Sequence, residues 1–119
     1  MRKFKELIIW KDSIELVTEV YKIANYLPDI ERFGMTSQVR RASVSIPSNI
    51  AEGCSRRNDT DFARFLEIAL GSSFELETQL ILINNLKLLS DNQIPNRLFE
   101  QINNIQKMTN SFRMKLLKP

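Results

Sequence analysis

Residues 38–53 read QVRRASVSIPSNIAEG, and this stretch decides how the rest of the chain is interpreted. It combines an arginine pair, a row of small side chains and a proline within a helical pattern. Small side chains let another helix approach closely, and Pro47 removes one backbone donor, which bends a helix. We therefore expect a kinked helix that is built for close packing. Its polar members are Arg40, Arg41, Asn49 and Glu52.

Apolar residues on both sides of this stretch recur every three or four positions, the spacing of amphipathic helices. The pattern predicts four helices. The first spans about residues 7–27, and the second begins at a capping Thr36 or Ser37. The third runs from Asp59 or Thr60 to about residue 89. A turn at 90–95 follows, and Pro95 suits the first turn of the fourth helix. Short loops favour opposed neighbours. We therefore predict an all-α fold, a single domain over residues 1–119 forming an antiparallel up-down-up-down four-helix bundle.

Each predicted helix has an apolar face. In the first helix, one row is Leu7, Trp10, Ile14, Val17, Tyr21 and Ala24, and a second row is Leu16, Val20, Ile23 and Leu27. The face of the second helix is Val39, Ala42, Ile46, Ile50 and Gly53. In the third helix it is Phe62, Leu66, Ala69, Ser73, Leu76, Leu80 and Ile83. In the fourth it is Leu98, Ile102, Ile105, Thr109, Phe112 and Leu116.

More apolar positions are present than one bundle seam requires. The first helix has two rows, and residues 80–89 read LILINNLKLL, which is apolar around most of a helix. A helix that is apolar on several faces is buried on several faces, so we predict assembly into a homo-oligomer. A second small patch, Ala69 to Ser73, includes Gly71, and glycine within a helix costs about 1 kcal/mol. We expect close packing against the small row of the second helix to compensate for that cost.

Composition places the chain in an ordinary class of globular proteins. It has 119 residues, 43% of them hydrophobic and 26% charged, with a net charge of +3. All of the excess charge lies in residues 1–58, since residues 59–119 balance. Cys54 is the only cysteine, which predicts a reducing compartment. No run resembles a signal peptide or a membrane span, so a cytoplasmic location away from membranes is expected.

The absence of histidine limits the available chemistry. Di-iron bundles, zinc sites of cysteine and histidine, and histidine-activated nucleophiles all require that residue. No phosphate-binding glycine loop is present either. We expect no enzyme activity, metal or cofactor. Arginines near Cys54 are able to lower the pKa of a thiol, but a small residue at a helix end is the favoured interpretation.

The arginine pair admits two roles. At least one arginine is expected to turn inward and pair with Glu67, Glu75 or Glu77 of the third helix, while the other faces solvent. The alternative role is phosphate binding. For the cations as a group, phosphate binding and a simple contribution to solubility have about equal support. The candidate nucleic-acid-binding residues are Arg40, Arg41, Arg56, Arg57, Arg113 and Lys115, and the candidate structural polar residues are Asn49, Glu52 and Glu75. Arg41 and Arg56 are about 22 Å apart along a helix, so they form two sites.

Several motifs together resemble the 23S rRNA intervening-sequence protein family. They are QVRRASVSIPSNIAEG at 38–53 followed by Arg57, and FARFLEIALGSSFELETQL at 62–80. Upstream, the resemblance includes the Trp10 and Leu16 spacing, Val20 with Tyr21, Pro28 and Glu31. The resemblance covers nearly the whole chain. Met35 stands where the family commonly has leucine.

This resemblance implies a four-helix bundle that assembles as a homopentamer and has no enzyme activity. A related group of accessory proteins in diversity-generating retroelements forms basic pentamers that bind nucleic acid and a reverse transcriptase. By analogy at the level of the fold, we expect an accessory protein that binds RNA or DNA. The alternative is a scaffold for a protein partner, with cations that only confer solubility.

Overall fold

Four helices make up most of the computed structural model, which describes residues 2–90 and 93–119. They are α1, Ile8–Ala24; α2, Met35–Cys54; α3, Asp59–Asn85; and α4, Asn96–Leu116. Two short 3-10 turns, Phe4–Glu6 and Asp29–Glu31, precede α1 and α2. No strand occurs in these described ranges, which confirms the all-α prediction. Two residues of the predicted turn at 90–95, Asp91 and Asn92, lie outside the described residues.

The core is one cluster to which all four helices contribute. The α2 and α3 helices have the most extensive contact, α1 packs on α2, and α4 packs on both α3 and α1. The predicted faces of α2 and α3 are wholly buried. In α4, Phe112 and Leu116 are only half-buried, whereas the other predicted positions are buried. Hydrophobic spacing therefore identifies the core of three helices.

The core face of α1 differs from the first of its two predicted rows. The buried positions are Ile9, Ser13, Leu16, Val20 and Ala24. Ile14 and Tyr21 of the first row are each 40% exposed. Both rows have helical spacing, but the second is the better covered, with Leu16, Val20 and Leu27 buried and Ile23 partly buried. The first row therefore leaves an apolar surface on the outside of the bundle.

The start of α2 differs from the predicted cap. Gly34 occupies the capping position and has no side-chain bond to give, so neither Thr36 nor Ser37 caps the helix. The Glu31 carboxylate Oε1 accepts a hydrogen bond from the Met35 amide at 3.2 Å. A carboxylate from the preceding turn thus satisfies one of the free amides and complements the positive helix end.

The end of α3 falls four residues before the predicted residue 89. Lys87 has a φ of 52°, in the left-handed region. The Lys87 amide donates to the Asn84 carbonyl at 3.2 Å, and the Leu88 amide donates to the Ile83 carbonyl at 3.1 Å. This pattern is a Schellman termination, which usually has glycine at the left-handed position. The lysine concealed the helix end from sequence reasoning.

The small patches of α2 and α3 meet in part. The Ser45 and Ser72 hydroxyl oxygens lie 2.8 Å apart, so these two residues join the helices as the spacing predicted. Gly53 also lies against α3, because a Cβ there would be 2.7 Å from Cδ1 of Phe62. Gly71 behaves differently, since a Cβ at that position would meet nothing within 4 Å. Close packing within the protomer therefore does not explain Gly71, which contradicts the prediction.

None of the described helices combines the length and the apolar character that crossing a membrane requires.

Candidate functional site

The predicted site cations form two separate groups in the structure. One group, here called the basic end, consists of Arg2, Lys107 and Lys115, which line one groove, and of Arg56, Arg57 and Arg113, which lie within three residues of Asp59 or Phe112, the residues that Arg2 contacts. The other is the Arg40 pocket, formed by Tyr21, Arg40, Arg41, Val44 and Ser45. The separation into two sites follows the predicted distance along α2.

Arg2 joins three parts of the chain at the basic end. Its guanidinium carbon lies 5.5 Å from the ring centres of Phe62 and Phe112. Its Nη2 lies 3.6 Å from the Asp59 carboxylate. The two rings are themselves 5.4 Å apart. The start of the chain, the start of α3 and the end of α4 are therefore held together by one cation and two rings.

Arg56 is fixed at the same end by a ring and a carboxylate. Its guanidinium lies 4.4 Å from the ring centre of Phe65, and its Nη2 donates to Glu52 Oε1 at 2.9 Å. Glu52 is exposed and four residues earlier in the chain, so this is a surface ion pair of small energetic value. Arg57, in contrast, is exposed and has no ion pair within the described residues.

The α4 cations of the basic end differ in how far they are exposed to solvent. Arg113 is half-buried and its Nη2 donates to Asn110 Oδ1 at 3.2 Å, while its Nε is covered. Lys107 and Lys115 are exposed and line a groove of about 770 Å³ together with Arg2. Apolar side chains such as Ile9, Met108 and Phe112 line much of this groove, and the carboxylates of Glu6 and Asp59 line it as well. The groove thus has an apolar floor and a rim on which three cations stand beside two carboxylates, one of them paired with Arg2.

In the Arg40 pocket, α1 holds the arginine through a ring and an amide oxygen. The guanidinium lies 5.2 Å from the ring centre of Tyr21. Its Nη2 donates to Asn25 Oδ1 at 3.1 Å, and its Nε is covered by protein without a hydrogen-bond partner among the described residues. Arg41 is exposed beside it. The pocket therefore contains two adjacent cations and is open to an anion.

The predicted pairing of this arginine pair with α3 is wrong within the protomer. Neither arginine forms an ion pair with Glu67, Glu75 or Glu77 in the described structure, since Arg40 is directed to α1. Glu77 accepts a hydrogen bond from Gln106 of α4 at 3.0 Å instead. For Arg40 the reason is angular, because the Ser45 side of α2 meets α3 and Arg40 lies about 140° around the helix from it. Arg41 lies only about 40° from Ser45 and is exposed, so the helix angle does not account for its lack of a carboxylate partner.

The candidate structural polar residues have different surroundings. Asn49 Nδ2 donates to the Ser45 carbonyl at 2.8 Å and to the Ser45 hydroxyl at 2.9 Å. That hydroxyl also contacts Ser72, so Asn49 orders the polar contact between α2 and α3. Glu52 and Glu75 are exposed. The Glu75 carboxylate accepts one long hydrogen bond, at 3.5 Å, from Gln79 Nε2.

Cys54 is the last residue of α2 and its thiol is buried. Burial raises the pKa of the Cys54 thiol, and the charge of Arg2 opposes this rise only in part. The favoured interpretation, a small buried residue at a helix end, is therefore supported over a reactive thiolate. Within residues 2–90 and 93–119, no cluster of three metal-ligating side chains occurs.

Sequence reasoning missed the side chains that hold the arginines. Tyr21 was expected in the core, and Asn25 and Phe65 carried no signal of their own. Arg2 was recognisable only as one of the cations at the start of the chain, without any indication of the rings that it contacts. An aromatic residue spaced correctly for a core row does not show which helix its ring will lie against. The contacts of Arg40 and Arg56 therefore required the three-dimensional structure.

Comparisons with known proteins agree with this fold. A solved structure of a protein of unknown function from the S23 ribosomal protein family of Bacteroides thetaiotaomicron VPI-5482 has a TM-score of 0.69 and 26% sequence identity to this chain. The match covers 94% of this chain and 100% of the other. No curated protein matches the sequence. The profile of the 23S rRNA-intervening sequence protein matches residues 5–111, and the chain therefore belongs to that family.

Proposed function

We propose that the chain is a non-enzymatic, self-assembling accessory protein of the cytoplasm that binds RNA or DNA phosphates through its basic end. The observation that carries this proposal is the convergence of cations from three separate parts of the sequence. Arg2, the α2–α3 connection and the end of α4 contribute to it. Lysine and arginine that cluster on one surface supply the electrostatic term that dominates nucleic-acid affinity.

Three of these cations are available for phosphates. Arg57, Lys107 and Lys115 are exposed, and no carboxylate lies within ion-pair distance of them in the described structure. Arg2 and Arg56 are held against rings, which fixes their positions before a ligand arrives. A preorganised cation loses less freedom on binding than a mobile one. The arrangement supports contacts with the phosphates of a nucleic acid, which do not depend on its base sequence.

Assembly would multiply this modest surface. We propose that helices adjacent in sequence run in opposite directions and that the bundles form a homo-oligomeric ring, the homopentamer that the family resemblance implies. Exposed apolar side chains on α1 and α3 supply a surface for such contacts, among them Ile14, Tyr21, Ile68 and Leu82. Repeating the basic end around an axis would place several copies of it against one nucleic acid, which raises affinity through multivalency alone.

A fluorescence-anisotropy titration tests the binding proposal. The double variant Arg57→Glu/Lys115→Glu is compared with Lys22→Glu/Lys87→Glu, which makes the same charge change at exposed positions away from the basic end. We expect wild-type protein to bind labelled single-stranded and duplex RNA at low salt. The basic-end variant should bind about tenfold or more weakly, with a salt slope lower by about 1 for each phosphate that is no longer neutralised.

Two results would overturn the proposal. One is an absence of RNA and DNA binding by wild-type protein at low salt. The other is an equal loss of affinity in the basic-end variant and in the control variant, because that would show a general effect of net charge. Circular dichroism of all three proteins ensures that the variants have the same helix content.

The alternative function, a scaffold for a protein partner, has one observation in its favour. Tyr26, Ile30 and Phe33, around the turn between α1 and α2, are 79%, 89% and 90% exposed. Large exposed aromatic side chains are typical anchors of protein interfaces. A pull-down that survives nuclease treatment and is abolished in Ile30→Ser/Phe33→Ser would favour the scaffold. Nuclease-sensitive capture would favour nucleic acid.

A further inference from the structure

We propose that the Arg40 pocket is half of a contact between copies of this chain, and that Glu75 of a second copy completes it. The inference rests on the proposed self-assembly and specifies its chemistry. It assigns Arg40 and Arg41 to assembly and leaves the basic end for nucleic acid. Four observations support it, and they concern charge, surroundings, complementarity and the geometry of α2.

The charge of Arg40 has no counterpart among the described residues of its own chain. A half-buried guanidinium loses part of its hydration, and that loss is normally offset by a carboxylate. Arg40 instead has a ring face and an amide oxygen, and neither carries a formal negative charge. Arg41, immediately beside it, adds a second cation to the pocket. An incoming anion would therefore be stabilised by two positive charges, one of which is already fixed in place.

The surroundings of the pocket favour a protein carboxylate over a phosphate of nucleic acid. Ile14, Tyr21 and Val44 are exposed on the α1 and α2 surface, and Tyr21 and Val44 also line the pocket. A sugar–phosphate backbone would leave these apolar side chains in water. A helix with a carboxylate between apolar side chains would cover them and supply the anion at the same time.

The outer surface of α3 has this composition. Ile68, Glu75 and Leu82 are seven residues apart, so they lie along one stripe of the helix, and all three are exposed. The Glu75 carboxylate stands between the two apolar residues and accepts only the one long hydrogen bond from Gln79 in the described structure. Gly71 is exposed in the same region, with open space where a Cβ would lie. That space gives a neighbouring helix room to approach, which the protomer leaves unused.

The pair cannot readily form inside one chain because the two residues lie on different sides of their helices. Arg40 is held on the α1 side of α2, while α2 contacts α3 through Ser45 and Ser72. The pocket borders the α2–α3 contact at Ser45, but the Arg40 guanidinium lies against α1 and the stripe is exposed on α3. Arg40 and Glu75 therefore belong to two different patches. A contact between different patches of identical copies repeats from copy to copy, and it closes into a ring when the rotation permits.

Charge reversal tests the pairing, with light scattering after size exclusion as the readout. The variants are Glu75→Arg, Arg40→Glu and the double variant that carries both changes. Glu100→Arg is the matched control, since Glu100 is exposed on α4 and its substitution makes the same change in charge. Arg41→Glu, at an exposed position, replaces Arg40→Glu if circular dichroism shows that the latter does not fold.

We expect wild-type protein and Glu100→Arg to elute at a multiple of the 13.9 kDa protomer mass. Each single reversal at the interface should weaken assembly by about thirtyfold or more, because it places like charges together. The double reversal should restore assembly. Restoration would show that the two side chains meet, which dissociation of the single variants alone would not show.

Three results would overturn the inference: a monomeric wild type, assembly by Glu75→Arg at the wild-type concentration, or a folded double variant that remains dissociated. RNA anisotropy of the same samples separates this inference from the proposed function. Intact assembly without RNA binding contradicts nucleic-acid binding alone. Unaltered assembly of the reversed variants, with RNA bound, contradicts only the Arg40–Glu75 contact.

Discussion

Substitution of Gly53 by alanine is the sharpest test of how α2 packs on α3. A Cβ at this position would lie 2.7 Å from Cδ1 of Phe62 and 2.9 Å from Cβ of Phe65. Ordinary contacts between such carbon atoms begin near about 3.5 Å. Phe62 is buried and its ring lies 5.4 Å from that of Phe112, so any turn of the Phe62 ring also displaces Phe112. The helices must therefore separate to accept one methyl group.

The expected cost follows from two opposing effects. Overpacking of a core contact costs about 1–3 kcal/mol. Alanine in place of glycine in a helix returns up to about 1 kcal/mol, and less near a helix end. The net effect is a destabilisation of about 1–2 kcal/mol, which corresponds to a fall in Tm of roughly 5–10 °C for a chain of this size.

Urea unfolding followed by circular dichroism in the far ultraviolet measures this change. Gly71→Ala is the matched control, because the same methyl group would meet nothing within 4 Å in the protomer. Helix propensity predicts that Gly71→Ala stabilises the protomer by about 1 kcal/mol. All proteins are compared at a protomer concentration too low for assembly, because assembly adds stability that depends on concentration and Gly71 lies in the proposed contact between copies. A neutral or stabilising Gly53→Ala would refute the close approach of α2 and α3.

Three further predictions concern single side chains. Burial raises the pKa of the Cys54 thiol, so less of it is thiolate in the folded protein. At mildly alkaline pH, a disulfide reagent should therefore react at least about tenfold more slowly with folded than with unfolded protein. Equal rates would show an accessible thiolate. Lys87→Gly should raise the free energy of unfolding by about 0.5–1 kcal/mol, because glycine adopts the left-handed conformation at φ 52° without the steric strain that a side chain causes. A lower urea midpoint would contradict that termination of α3. The hydrogen bond from Arg97 lowers the pKa of Glu19 from the ordinary value of a glutamate, so this pair contributes stability above the pKa of the unfolded chain and loses it as the pH falls through the folded pKa. In a carboxyl NMR titration, Arg97→Gln should raise the Glu19 pKa, and an unchanged pKa would show that the pair is absent in solution.

Periodicity predicted the parts of the fold that depend on the chain alone. The buried faces of α2 and α3 and most of α4 agree with apolar spacing, although α3 also carries exposed apolar residues such as Ile68 and Leu82 on its outer surface. The same reasoning did not distinguish two stripes in α1, where Leu16 and Val20 are buried and Ile14 and Tyr21 are exposed. Helical spacing identifies a face, and only the packing of neighbours determines which of two faces is inside.

Helix ends were less predictable because unusual residues occupy them. Gly34 stands at the α2 cap while a carboxylate from the preceding turn bonds the Met35 amide. Lys87 takes the left-handed conformation that glycine favours. Neither arrangement follows from residue preferences, because each depends on the conformation of the adjacent turn.

For the candidate sites, the sequence identified the cations but not the residues that they contact. The sequence indicated two groups of cations, and the structure places them apart as the spacing along α2 required. It did not indicate that Arg40 would lie on Tyr21 and Asn25, away from the α3 carboxylates. A helical wheel gives the direction of a side chain, but the identity of the facing helix depends on the assembled bundle.

The central claim is that the two cation groups have different tasks, assembly at the Arg40 pocket and nucleic-acid binding at the basic end. Sedimentation velocity with a labelled RNA measures both in one experiment. Wild-type protein should sediment as an oligomer with RNA, Arg57→Glu/Lys115→Glu as an oligomer without RNA, and Glu75→Arg as smaller species. Dissociation of RNA from all variants alike, or assembly that is indifferent to Glu75→Arg, would contradict this division.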